Sequence, residues 1–186
     1  MALKSEVFPN MSRNGPADQN HYATRSDKQV MNRVLVVDDH VVIRRGIQNI
    51  VRAWPGWEVC GEAASGEEAV RLAAELKPDV VLMDISMPGM GGLEATRTIC
   101  AGSPETTVLL LTLHDSPEWV RTALHAGARG YLLKSDAEGE LMRALNLVSR
   151  KGIYVSPSID SERVREIFSD LGLSGIREIT KSQETS

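Results

Sequence analysis

The chain has 186 residues, 42% of them apolar and 25% charged, with a net charge of −4 at neutral pH. That profile suits a soluble globular protein with one domain large enough to bury a core, and it argues against a chain built to coat nucleic acid or an anionic membrane. No apolar run nears the ~18 residues of a membrane helix and the N-terminus lacks a signal-peptide core, so a cytoplasmic location is expected.

Residues 1–31 hold Asn10, Asn14, Gly15, Pro16, Asp18, Gln19 and Asn20 without an apolar period, and they read as a disordered leader. Val34 to Val37 then forms an apolar run that suits a strand buried on both faces, and it ends in Asp38-Asp39. Ile43, Ile47, Ile50, Val51 and Trp54 follow at helical spacing, predicting a helix with that face on the core, stopped by Pro55-Gly56. Trp57 to Cys60 reads as a second strand. Ser65 and Glu68 form a capping box for a second helix, with Ala69, Leu72, Ala73 and Leu76 on its inner face.

Val80 to Met83 is a third buried strand, and Asp84 stands at its carboxyl end. The loop through Gly89, Gly91 and Gly92 lacks the Gly-Lys-Ser/Thr ending of a phosphate-cradling loop, so these glycines read as ordinary turn residues. A third helix over 93–100, a fourth strand over 108–111 ending at Thr112, and a short helix over 117–126 come next. Gly130 to Leu133 is a fifth strand ending in Lys134, and Ser135 is expected to cap a fifth helix carrying Leu141, Leu145 and Val148. Cys60 and Cys100 read as small apolar side chains rather than a disulfide or metal pair.

Five strands alternating with five helices predict an α/β fold with a doubly wound parallel sheet. In such a sheet all carboxyl ends lie along one edge, where ligands bind. Asp38, Asp39, Asp84, Thr112 and Lys134 can therefore share a pocket. Three carboxylates side by side call for a cation, and oxygen ligands suit Mg²⁺. Lys and Thr supply a charge and a hydrogen bond for phosphoryl oxygens, and a carboxylate can itself take up a phosphoryl group. His40 could add a metal ligand, but with no second His or Cys at ligand spacing it reads as a solvent-facing residue of the first helical turn.

The segments Val-Leu-Val-Val-Asp-Asp-His at 34–40, Asp-Val-Val-Leu-Met-Asp-Ile-Ser-Met-Pro-Gly-Met-Gly-Gly at 79–92, Leu-Leu-Thr at 110–112 and Gly-Tyr-Leu-Leu-Lys at 130–134 resemble receiver domains of two-component response regulators. The resemblance is strongest to the NarL/FixJ-type branch and covers residues 32–155. It implies a CheY-like, flavodoxin-like fold with strand order 2-1-3-4-5. It implies Asp84 as phosphoacceptor, and Mg²⁺ (with Mn²⁺ as substitute) held by Asp39, Asp84 and the main-chain carbonyl of Ser86, with Asp38 helping through water. It also implies Lys134 and Thr112 as phosphoryl contacts, and Thr112 and Tyr131 as the switch pair, with Tyr131 moving inward on phosphorylation.

Ser86 and His114 flank the site in this family and are expected to set the lifetime of the phosphoryl group, while Leu113 is expected to narrow the approach. The partners implied are a sensor histidine kinase and a second copy of the chain. The protein is then a switch within transcriptional control rather than a turnover enzyme. An Asp-nucleophile phosphatase is disfavoured because position 86 is Ser, not a second Asp; a module working without phosphorylation is the other alternative.

Relatives of this type usually continue into a helix-turn-helix domain, but only 36 residues follow Arg150. Val164, Ile167, Phe168 and Leu171 predict one amphipathic helix opened by Asp160 or Ser161 and closed by Gly172. Residues 156–186 are accordingly expected to be a linker helix and a flexible tail, with DNA bound only through a domain this chain lacks.

Overall fold

The computed structural model describes residues 31–173; all but the last residue of the expected leader over 1–31, and the tail from 174, lie outside the described residues. Strand β1 (Asn32–Val37) is followed by helix α1 (Val41–Arg52), then β2 (Trp57–Ala63), α2 (Gly66–Leu76), β3 (Val80–Asp84), α3 (Gly92–Gly102) and β4 (Thr107–Thr112). The alternation continues with α4 (Pro117–His125), β5 (Gly130–Leu133), α5 (Ala137–Ser149), β6 (Tyr154–Val155) and α6 (Ser161–Asp170). All strands pair in parallel in one sheet, in the order β2-β1-β3-β4-β5-β6.

The period of two along each strand sorts side chains between two layers. Val34, Val36, Val80, Leu82, Leu109, Leu111 and Leu132 face α1 and α5, meeting Ile47, Val51, Leu141, Leu145 and Val148. Leu35, Val37, Val81, Met83, Leu110, Tyr131 and Leu133 face the other way, onto α2, α3, α4 and α6. With a helix layer on both faces, the central strands are buried at every position, which is why they read as unbroken apolar runs.

The sequence reading needs five corrections. Among the described residues the sheet has six strands, not five, and the helix expected near 160–172 is the sixth. Tyr154 and Val155 pair with Gly130 and Tyr131, so β5 is not an edge strand. A two-residue strand is too short to carry an alternation pattern, and it escaped notice for that reason. Second, the helix expected as a linker packs on the domain as α6: its N-cap Asp160 accepts from the Glu162 and Arg163 amides, and Val164, Ile167 and Phe168 are buried in the α4 layer. Third, Ile43 and Trp54 lie toward solvent, Trp54 being 50% exposed, because α1 packs on the sheet through its second half, from Ile47 to Val51, and Trp54 lies beyond the end of the helix. Fourth, α5 is capped at position 136 rather than Ser135, with no side-chain cap bond.

The fifth correction concerns Gly92. A Cβ there would run into the carbonyl oxygen of Asp84, so this glycine is required by close backbone approach rather than by the turn. Ser65 behaves as read, accepting from the Glu68 amide, while the Glu68 carboxylate reaches back to the Ala64 amide.

Candidate functional site

The carboxyl ends of β1, β3, β4 and β5 meet at one edge of the sheet. β3 lies between β1 and β4, which sets Asp84 beside Asp38 on one side and, with Asp84 opposite Leu111, one residue short of Thr112 on the other. Asp38 is fully buried and Asp84 only 2% exposed. Lys134 reaches over from the end of β5, its Nζ donating to Asp38 Oδ2 at 2.8 Å and to Asp84 Oδ2 at 3.0 Å. Its backbone amide is fixed in turn by the Thr112 carbonyl at 2.7 Å.

The two remaining oxygens are oriented by local turns. Asp38 Oδ1 accepts from the His40 amide at 2.8 Å, and Asp84 Oδ1 accepts from the Ser86 amide at 3.3 Å. Each Asp thus organises the start of the loop that follows its strand. The Arg44 guanidinium donates to the Asp38 carbonyl and so ties the first turn of α1 to the strand end.

Burial pushes the Asp84 carboxyl above its ordinary range; the Lys134 hydrogen bond and charge pull it back down, and Asp38 pushes it up again. For Lys134, burial favours the neutral amine, but the hydrogen bonds and charges of Asp38 and Asp84 outweigh it and hold the ammonium above its usual value. The lysine is therefore a permanent cation between two carboxylates.

Asp39 completes the acidic group. Its Oδ1 is shielded from water and accepts no hydrogen bond, although His40 Nδ1 lies 2.8 Å away. Ligand-type atoms of Asp38, Asp39, His40 and Asp84 all lie within 4.8 Å of one another. An orphaned carboxylate oxygen beside a cluster of this kind fits a divalent cation with hard oxygen ligands, so Asp38, Asp39 and Asp84 can hold Mg²⁺.

On the far side, the loop after β4 is clamped at His114. Its amide donates to Thr112 Oγ1 at 3.1 Å, and its carbonyl accepts from the Tyr131 hydroxyl at 2.8 Å. Its ring lies 3.4 Å from Ser86 Oγ and stacks on Trp119, with centroids 4.5 Å apart and planes 10° from parallel. Tyr131 is already turned inward, 1% exposed, and burial pushes its phenol up to about 12 while Thr112 pulls it down. Leu113, expected to narrow the approach, is 79% exposed and belongs to neither core layer.

The structure therefore brings Asp38, Asp84 and Lys134 into contact at one edge with Asp39 within 4.8 Å of the other carboxylates, and it adds Ser86 from the loop after β3 and Thr112, His114 and Tyr131 around the β4–α4 loop. Sequence reasoning weighed His40 as a ligand and set it aside in favour of a solvent-facing residue, whereas its ring lies against the acidic group; the tight approach of Gly92 it missed.

Comparison with known proteins adds the following. The model of the response regulator receiver domain matches residues 34–146. The response regulator GacA of Pseudomonas viridiflava is 44% identical over 138 residues, covering 74% of this chain and 64% of that protein. The transcriptional regulatory protein LiaR of Bacillus subtilis is 41% identical over 145 residues, covering 78% and 67%. Among solved structures, a LuxR-family two-component response regulator from Aurantimonas sp. SI85-9A1 superposes with a TM-score of 0.69 at 37% identity, covering 73% of this chain and 96% of that one. The response regulator domain of Thermotoga maritima CheB gives 0.61 at 32% identity, covering 64% and 97%. The chain spans about 64% of the length of the GacA proteins it matches.

Proposed function

The chain belongs to the response regulator receiver family, and from that premise we propose that it is a phosphorylation-driven switch whose phosphoacceptor is Asp84. The observation that carries the reading is the pair of contacts from Lys134 to the buried carboxylates of Asp38 and Asp84 at the edge where four strand ends converge.

An Asp84 oxygen attacks the phosphorus of a phosphohistidine presented by a sensor kinase. The new P–O bond forms as the P–N bond breaks, and the departing imidazole takes up a proton. Lys134 and the Thr112 hydroxyl meet phosphoryl oxygens as negative charge gathers on them, and the sheet edge holds both groups in place before reaction. Mg²⁺, held by Asp38, Asp39, Asp84 and the Ser86 carbonyl, supplies charge neutralisation for the phosphoryl oxygens when bound.

A phosphoryl group on Asp84 would compete for the Lys134 ammonium and the Thr112 hydroxyl. Thr112 now accepts from the His114 amide, and His114 accepts from Tyr131. A shift of Thr112 is thereby passed to the β4–α4 loop and to Trp119 on α4. Ser86 and His114 flank the phosphoryl group and set its lifetime, and the surface that changes serves a second copy of the chain or a transcriptional partner. A cytoplasmic location and the receiver bounds of 32–155 are part of the same reading.

The test is intact mass after incubation with acetyl phosphate and Mg²⁺. One adduct of about 80 Da, dependent on Mg²⁺ and missing in Asp84→Asn, is expected. No adduct on the wild type would mean that the domain works without phosphorylation.

A further inference from the structure

His40 read as a solvent-facing residue of the first turn of α1, and its side chain is indeed 68% exposed. Its ring nonetheless turns back onto the acidic group, with Nδ1 2.8 Å from Asp39 Oδ1 and 3.3 Å from Asp38 Oδ1. The nearer contact is not a hydrogen bond, since Asp39 Oδ1 accepts none. A ring nitrogen and a carboxylate oxygen face each other at contact distance without the geometry of a hydrogen bond.

That spacing has a simple chemical meaning. Two ligands on adjacent corners of an octahedron around a small dication, with bonds of ~2.0–2.2 Å, stand about 3 Å apart. Both of the contacts from Nδ1 fall near that edge length. Asp38 is also turned the right way: Lys134 engages its Oδ2, while its Oδ1, which accepts from the His40 amide, faces the His40 ring. The approach to the ring from solvent is open.

We propose that His40 is a direct nitrogen ligand of the cation held by Asp38, Asp39 and Asp84, and that it biases this site toward Mn²⁺ and the later first-row dications over Mg²⁺. The proposal rests on the reading of the three carboxylates as a cation site. The physical reason is ligand type. An all-oxygen set suits hard Mg²⁺, which gives up its waters reluctantly, whereas imidazole favours metals further along the first-row affinity order. One imidazole among carboxylates changes the ranking of cations without destroying the site for Mg²⁺, which can keep a water in place of the ring.

The test measures cation binding rather than phosphorylation. Mn²⁺ is titrated into the protein while the free-ion EPR signal is followed, and Mg²⁺ affinity is read by displacement of bound Mn²⁺, in wild type, His40→Ala, His40→Gln and Asp39→Asn. His40→Ala and His40→Gln should each weaken Mn²⁺ on the order of tenfold while Mg²⁺ changes by less than about twofold. Pulsed EPR of bound Mn²⁺ should show nitrogen coupling in wild type and lose it in His40→Gln. Asp39→Asn should weaken both cations. If Asp39→Asn weakens both but the His40 variants keep the Mn²⁺ to Mg²⁺ ratio and the nitrogen coupling is absent, His40 is not a ligand and only this proposal falls. If Asp39→Asn leaves both affinities unchanged, the cation site itself is wrong and the proposal falls with it.

Discussion

The ammonium of Lys134 lies 3.0 Å from Asp84 Oδ2 and 2.8 Å from Asp38 Oδ2, so the end of β5 is pinned across β4 to the ends of β3 and β1. Both carboxylates are almost wholly out of water. Removing the cation while leaving two buried anions is costly, and Lys134→Ala should destabilise the domain by roughly 2–4 kcal/mol in urea unfolding without Mg²⁺. Added Mg²⁺ should recover part of that loss, since it supplies a replacement cation that binds only the folded state.

Asp84 carries the opposite sign. Burial raises its folded carboxyl above the reference value of 3.8, so the native state binds this proton more tightly than the unfolded chain does. Its contribution to stability is therefore present below 3.8 and is lost as pH rises through the folded value. Asp84→Asn removes that penalty. At neutral pH and without Mg²⁺ the variant should have a higher urea midpoint than wild type, and the gap should close as pH falls toward the unfolded value.

Gly92 tests how rigidly Asp84 is held. A methyl group at this first position of α3 would strike the Asp84 carbonyl, a backbone atom with no flexible end to yield. Gly92→Ala should cost about 1–3 kcal/mol in unfolding free energy. It should also slow acetyl phosphate labelling, on the order of tenfold or more, because it moves the nucleophile's own backbone. Gly102→Ala, in the same helix where nothing lies within 4 Å, is the matched control: it should leave the labelling rate unchanged and should not lower stability.

Most of the frame was legible in the sequence because buried parallel strands are short apolar runs, and the residues ending them stand out by contrast. Asp38, Asp84, Thr112 and Lys134 could be placed at one edge for that reason alone. Other features lay beyond the sequence because they depend on contacts between distant segments. β6 exists through the partnership of Tyr154 and Val155 with Gly130 and Tyr131, not through its own pattern. The burial of Phe168 and the exposure of Trp54 follow from where α6 and α1 cross the sheet, which helical spacing does not fix. Gly92 looks like any loop glycine until the Asp84 carbonyl is seen beneath it.

The α6 face offers a direct check of its place in the core. Val164, Ile167 and Phe168 are 0%, 5% and 4% exposed, and Arg121 on α4 pairs with Asp170 at 2.7 Å. Phe168→Ala should destabilise the whole domain by about 3–4 kcal/mol in a single cooperative transition. An unchanged midpoint would mean that α6 is tethered rather than packed.

Tyr131 links the loop to the sheet through its hydrogen bond to the His114 carbonyl. Burial pushes its phenol up to about 12, so the folded state keeps the proton that the unfolded chain releases near 10. Stability from this group is fully present below 10 and is lost as pH rises through about 12. Tyr131→Phe should remove that part of the alkaline decline, and it should cost about 1 kcal/mol at neutral pH for the lost hydrogen bond. Urea unfolding across the alkaline range checks both.

The most direct test of the account is the position of the phosphoryl group itself. Protein labelled with acetyl phosphate and Mg²⁺ is treated with borohydride, which reduces an aspartyl phosphate to homoserine, and the digested peptides are sequenced by mass spectrometry. Homoserine at position 84 and nowhere else is the expected result. Homoserine at Asp38 or Asp39, or phosphate found only on a serine or histidine, would contradict the assignment of Asp84 as the group on which the switch turns.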